Sequence, residues 1–361
     1  MAIIEARGLA RTFKNRKAKV EAVRGVDLTV QPGEIVGFLG PNGAGKTTTL
    51  RMLTTLLRPT AGTAIVAGCD LLRDPVGVRG RIGYVPQAIG ATAGGTDPSC
   101  LVREELAIQG RLYRLPAAEV AQRARVVTEL LDLTGLEDRL CKTLSGGQRR
   151  RLDIALGLVH SPAVVFLDEP TTGLDPQSRS NLWEHIRGLR ELGSTVFLTT
   201  HYLEEADALC DRVLVIDHGK IIAEGAPEEL KRRISGDVVT LTVSRDPDRA
   251  LAILGSEPGV REIKAEGRAI RMTVEQGEEA LPGMLRALDR DGIAMESIQL
   301  ARPTLDDVFL TLTGRSLRDD SASANGHGHP AAQDHGQNPG QDQDPGEDPD
   351  RHARTTTGAR Q

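Results

Sequence analysis

Ile35-Val36-Gly37-Phe38-Leu39 runs directly into Gly40-Pro41-Asn42-Gly43-Ala44-Gly45-Lys46-Thr47, and Thr48 opens the stretch beyond. The first five residues read as a buried strand, and residues 48–57 continue with helical periodicity. Between them stands the pattern G-x-x-x-x-G-K-[ST]. Its glycines let the backbone curl so that successive N–H groups face inward. The helix N-terminus adds the positive end of its dipole, which makes an anion cradle. Lysine is scarce here, with eight against 37 arginines, yet the loop uses it. A compact ammonium fits a tight phosphate nest where a planar guanidinium fork does not. Lys46 is placed to reach β- and γ-phosphates, and the Thr47 hydroxyl to ligate Mg²⁺.

Downstream, Val164-Val165-Phe166-Leu167-Asp168-Glu169-Pro170 is a second buried-strand pattern, closed by two carboxylates. Asp168 at the strand tip suits a Mg²⁺ site. Glu169, one residue on, points elsewhere and suits polarising a water for attack on phosphorus. Further apolar runs at 195–199 and 212–216 alternate with helical patterns, the sign of a parallel α/β sheet. From Gln87 to Leu144 the strand signal fades, and helix-compatible sequence such as 119–133 predicts a helical insertion over about 88–160. After residue 235 the order β, α, β, β, α, β predicts a small split-βαβ, ferredoxin-like α+β domain over 236–316, ending in a helical segment at 304–312.

Composition narrows the function. The 361 residues suit two folded domains and a tail. No stretch reaches the roughly 18 apolar residues that cross a bilayer, and no signal peptide opens the chain, which points to the cytoplasm. Cys69, Cys100, Cys141 and Cys210 lie far apart, without a C-x-x-C pair, so reduced thiols are expected. Aromatic residues are 2% and the formal net charge is −5, which leaves neither stacking platforms nor a basic footprint for nucleic acid. Residues 318–361 hold eight acidic and four basic side chains, so most of that charge belongs to the end of the chain. Residues 317–361 read as a disordered acidic tail, whose His327, His329 and His335 are solvated rather than metal-binding.

Leu144-Ser145-Gly146-Gly147-Gln148 stands before a helix-compatible stretch, with Ser145 at the N-cap and glycine N–H groups open to an anion. With this motif the first 230 residues or so resemble the ATP-binding-cassette (ABC) ATPases. The motifs come in that family's order: the Walker A loop at 40–47, a Q-loop glutamine at Gln87 in Tyr84-Val85-Pro86-Gln87, the signature at 144–148, Walker B with its glutamate at 164–169, a D-loop at Gly173-Leu174-Asp175 and a switch histidine at His201 after Thr199-Thr200. The resemblance implies that Lys46, Glu169 and His201 serve catalysis. It further implies that Thr47, Gln87 and Asp168 hold Mg²⁺, and that Phe13, residues 40–48, Gln87, Ser145, Gly146, Gly147, Gln148 and Asp175 bind ATP. Phe13 has a competing reading as a core aromatic, with Val20 sharing the adenine role, and Asp175 one as a simple turn cap. Arg149, Arg150 and Arg151 read as a solvated face, and Trp183 as core or subunit packing.

One copy of each motif implies, in this family, a head-to-tail homodimer with ATP between the subunits. The segment Pro303-Thr304-Leu305-Asp306-Asp307-Val308-Phe309-Leu310 and the run 53–60 further resemble the ATPase subunits of daunorubicin-type drug exporters. That implies an integral-membrane permease partner and a position on the cytoplasmic face of the membrane, with lipid, polysaccharide or peptide cargo as alternatives. A soluble ATPase acting on ribosomes or DNA fits less well, lacking tandem cassettes, a long coiled coil and a basic face. A module that only dimerises conflicts with the intact Lys46, Asp168 and Glu169 set. Residues 101–106, Leu-Val-Arg-Glu-Glu-Leu, depart from the T-G-x-E-N-L-like segment of related subunits.

Overall fold

The computed structural model describes residues 1–15, 18–87, 96–191, 193–234, 236–301 and 303–314; the acidic tail expected at 317–361, with its three histidines, lies outside them. The chain opens with strands β1 (Ile4–Asn15) and β2 (Ala18–Val30). Strand β3 (Ile35–Leu39) then leads into helix α1 (Lys46–Leu53). Next come β4 (Ala61–Val66), β5 (Cys69–Asp70), α2 (Pro75–Arg81) and β6 (Ile82–Val85). The expected helical insertion follows as α3 (Val102–Leu112) and α4 (Ala117–Leu130), tied at its base by a bridge between Leu101 and Leu140. After it come α5 (Gly146–Leu158), β7 (Val164–Asp168), α6 (Pro176–Glu191), β8 (Thr195–Thr200) and α7 (Leu203–Leu209). Strands β9 (Arg212–Asp217) and β10 (Lys220–Gly225) and helix α8 (Pro227–Ile234) complete this part.

Two sheets build it. One runs β10-β9-β3-β8-β7-β6, parallel except for β10; the other is the antiparallel β2-β1-β4-β5. Every residue of β3, β7 and β8 is buried, as expected for parallel strands covered on both faces. Their alternation separates two cores. Phe38, Phe166 and Phe197 meet on one face, with neighbouring ring centroids 5.7 Å apart, beneath α1 and the antiparallel sheet. Leu39, Val165, Leu167 and Leu198 face the other way, toward α5, α6 and α7. Because β3, β7 and β8 are parallel and in register, with Leu39 beside Thr200 and Asp168 beside Thr199, the segments leaving them emerge at one edge. In open α/β sheets that edge is where ligands bind.

The remainder follows the split-βαβ pattern: β11 (Asp237–Val243), α9 (Pro247–Gly255), β12 (Val260–Glu266), β13 (Ala269–Val274), α10 (Gly277–Arg290) and β14 (Met295–Ala301), in the antiparallel order β12-β13-β11-β14. Its core has Val239, Leu241, Ile270 and Met272 under the two helices. The last helix, α11 (Leu305–Thr313), is capped by Thr304, whose hydroxyl accepts from the Asp307 N–H. It does not join that small core. Leu305, Val308 and Phe309 pack with Ala206, Leu209 and Leu230 of the larger unit. Among the described residues no helix is long and apolar enough to cross a membrane.

Candidate functional site

The loop from Gly40 to Thr47 has little freedom. Gly45 caps α1 with φ +108°, and a Cβ there would stand 2.5 Å from the Ala22 carbonyl oxygen. A Cβ on Gly40 would lie 2.2 Å from the Ile216 carbonyl. Glycine is therefore required at both places, by backbone conformation at Gly45 and by close approach at both. Lys46 is 4% exposed, and its ammonium donates to the carbonyls of Gly40 at 2.8 Å and Pro41 at 3.1 Å. Its third neighbour is Glu169 Oε1 at 3.5 Å. Burial lowers the Lys46 pKa, with Glu169 and Asp168 opposing the shift.

Asp168 and Glu169 leave the end of β7 in different directions. Asp168 Oδ1 accepts from Thr47 Oγ1 at 3.1 Å and from Thr199 Oγ1 at 2.6 Å. Burial, reinforced by the like charge of Glu169, raises its pKa against those two hydrogen bonds. No cationic side chain lies within ion-pair distance of it among the described residues, so an oxygen-seeking cation suits this pair of hard donors. Glu169 has φ +44°, which a non-glycine residue rarely adopts; its N–H is held by the carbonyl of Thr199 at 3.1 Å and by Thr199 Oγ1 at 3.0 Å. This turn carries its carboxylate to Lys46, to Gln87 (Nε2 donates to Oε2 at 2.8 Å) and to Thr172 (Oγ1 donates at 3.2 Å). His201 Nδ1 lies 3.3 Å from Oε1. Burial pushes the Glu169 pKa up, but His201, Lys46 and Thr172 together outweigh it and leave the group lowered.

Lys46, Thr47, Gln87, Asp168, Glu169 and His201, read from four separate stretches of sequence, thus form one contact network. Gln87 enters it on Glu169, rather than beside Thr47 and Asp168. Two members were not foreseen. Thr199 both donates to Asp168 and accepts from Glu169, a bridge that the in-register pairing of β7 with β8 creates. Arg150 is the other, and it corrects the reading of residues 149–151 as a solvated face. It is 4% exposed, and its guanidinium donates to the carbonyls of Pro170 at 2.8 Å, Pro86 at 2.7 Å and Asp168 at 3.2 Å. The sequence held a signal for this: Arg150 is four residues before Ile154, on the buried stripe of α5.

The other expected residues stand apart. Ser145 caps α5 in a reciprocal box with Gln148, and Ser145 and Gly146 are exposed. Among the described residues no hydrogen bond joins Ser145, Gly146, Gly147 or Gln148 to the loop at 40–48. Phe13 is 40% exposed and directly opposite Val20, itself 57% exposed, so it is not a core aromatic; Arg11 lies over its ring at 4.8 Å. Asp175 accepts from Ser178 N at 3.0 Å and Ser178 Oγ at 2.6 Å at the start of α6, which is the capping arrangement. Trp183 packs against the core and donates to Glu205 at 3.3 Å.

Residues 23–172 match the family described as ABC transporter, and residues 225–313 the one described as ATP-binding protein DrrA1-3-like, C-terminal domain. The daunorubicin resistance ATP-binding protein DrrA3 of Streptomyces coeruleorubidus is 44% identical over 309 residues, covering 84% of this chain and 95% of that protein. The Nod factor export ATP-binding protein I of Ralstonia nicotianae is 41% identical, covering 85% and 94%. Among solved structures, the dimeric structure of MJ0796, a bacterial ABC transporter cassette, is similar with a TM-score of 0.54 and 25% identity, covering 62% of this chain and 98% of that one.

Proposed function

The chain belongs to the ATP-binding subunits of ABC transporters, in the branch with the DrrA-like C-terminal domain, and from that membership we propose that it is the motor of a two-component exporter, driving a drug or antibiotic through a separate membrane permease. The observation that carries this reading is the strand-edge network of Lys46, Thr47, Gln87, Asp168, Glu169 and His201. It brings a phosphate-seeking cation, a cation-binding oxygen pair and a second, hydrogen-bonded carboxylate within contact of one another.

Within that site Lys46 exchanges its carbonyl and Glu169 partners for phosphate oxygens, while the inward N–H groups of residues 40–47 hold the rest of the polyphosphate. Thr47 and Asp168 would hold Mg²⁺, which supplies positive charge to the phosphate oxygens and the leaving group. Glu169, kept ionised by His201 and Thr172 once Lys46 has turned to the phosphates, takes a proton from the water whose oxygen attacks the terminal phosphorus; ADP carries away the electron pair of the broken bond. Gln87 orients Glu169, and His201 faces the released phosphate. Phe13 with Val20 offers the adenine an exposed platform.

Family cassettes form dimers, as the MJ0796 structure does. The exposed Ser145 and Gly146, unconnected to their own phosphate loop, support completion of each site by the signature of a second copy, with Asp175 near the join. Residues 1–235 are then the cassette, and 236–316 an accessory unit whose α11 fastens onto it. The permease would hold the complex at the cytoplasmic face of the membrane. The Nod-factor relative, at nearly the same identity as the drug-resistance one, keeps a non-drug cargo as the second reading. Efflux of a fluorescent anthracycline from cells carrying a membrane permease that co-purifies with this chain, with and without the chain, decides between them. Chain-dependent efflux supports the drug reading, and equal retention overturns it.

A further inference from the structure

Arg150 lies five residues into α5, the helix that Ser145 caps, yet its guanidinium reaches the end of the sheet. The carbonyls it binds are informative. Pro86 O belongs to the peptide unit whose nitrogen is Gln87, and Asp168 O to the peptide unit whose nitrogen is Glu169. Gln87 and Glu169 are in turn joined through their side chains at 2.8 Å. One rigid fork therefore fixes the two peptide planes from which the two halves of that hydrogen bond project. A third bond, to Pro170 O, fixes the exit from the strained turn at Glu169.

We propose that Arg150 is a positioning residue that couples the signature helix to the Gln87–Glu169 pair of the same subunit. Where the base sits then depends on where α5 sits. A guanidinium keeps its charge at every working pH and presents its donors in a planar fork. Lysine at this position would supply the charge but could not span three carbonyls on two segments. The assignment rests on the reading of Glu169 as the base, and it extends that reading to cross-talk between sites: whatever moves Ser145 at one nucleotide moves Gln87 and Glu169 at the other.

The test uses the full chain carrying Arg150→Lys and, separately, Arg150→Gln, each checked for an unchanged melting transition. Amide exchange followed by mass spectrometry should quicken in peptides covering 82–87 and 164–172, while the phosphate loop at 40–47 stays as protected as in the native chain. ATP turnover should fall about 10- to 100-fold with KM within about threefold, as for an interaction made only during reaction. On a Gln87→Ala background Arg150→Lys should add little, because both changes act through one pair. Native exchange in both peptides, or effects of Arg150→Lys and Gln87→Ala that simply multiply, would overturn the proposal. Exchange is read without turnover, so failure of the base reading is seen separately, as native turnover in Glu169→Gln. Should both Arg150 variants melt early, quickened exchange throughout the chain assigns the residue to folding and also overturns it.

Discussion

Replacing Glu169 by glutamine keeps the side chain's shape and removes its charge, with two consequences of different origin. The first is a loss of stability in the nucleotide-free chain. Lys46, 4% exposed, then has the carbonyls of Gly40 and Pro41 and the more distant charge of Asp168 to offset its own. At 3.5 Å the lost Coulomb interaction is about 5 kcal/mol for an effective dielectric of ~20. Breaking a buried pair at one partner costs roughly 3–5 kcal/mol in practice, and the two carbonyls place this case at the lower end. At roughly 2–4 °C per kcal/mol, the melting temperature should fall by about 6–12 °C. Saturating ATP, added with a chelator to stop turnover, gives Lys46 a new anionic partner in both proteins, so the difference should shrink to about a third. The second consequence is chemical: turnover should fall by about 10²–10⁴-fold, the usual weight of a general base. Differential scanning fluorimetry and a phosphate-release assay read the two effects. A melting difference that ATP does not narrow would refute the charge argument, and turnover within threefold of native would remove Glu169 from catalysis.

Other substitutions probe separate parts of the molecule. Gly45→Ala places a Cβ 2.5 Å from the Ala22 carbonyl at φ +108°, so calorimetry should show ATP affinity at least tenfold weaker; native affinity would mean the loop relaxes freely. Phe13→Ala should raise the KM for ATP by about 2- to 12-fold at unchanged kcat, equivalent to ~0.5–1.5 kcal/mol of stacking, and an unaltered KM would exclude Phe13 from the nucleotide. Burial, partly offset by its bond to the Ile82 carbonyl, takes the His160 pKa from near 6.5 down to about 4, and burial takes Asp153 from near 3.8 up to about 6. Between pH 6.5 and 4 the unfolded chain binds the His160 proton and the folded chain does not, so stability falls by about 3 kcal/mol on acidification; Asp153 binds its proton in the folded chain first and offsets about the same amount between pH 6 and 3.8. Asp153→Asn should therefore make urea unfolding markedly more acid-sensitive than in the native chain, and an unchanged pH profile would refute the opposition.

Much of this was legible in sequence because the chemistry is local there. The loop at 40–47 declares its own geometry, since only glycine tolerates φ +108° with a carbonyl at Gly45's back. The buried parallel strands and the order of the split-βαβ unit likewise follow from periodicity, whereas the antiparallel sheet β2-β1-β4-β5 does not. What escaped depends on register and on burial across the fold. Thr199 gained its role only because β8 lies in register with β7, and Arg150 because α5 turns one arginine of three inward. Gln87 was expected beside the cation site and instead meets Glu169, a difference of side-chain direction that spacing cannot carry. The docking of α11 on the larger core, rather than on the sheet it follows, likewise depends on long-range packing.

Hydrolysis of ATP by the strand-edge network is tested most directly by release of phosphate from the purified full chain with ATP and Mg²⁺, native beside Lys46→Ala. The native chain should turn over steadily, with a loss of at least about 100-fold in the variant. Equal rates in the two proteins would contradict it.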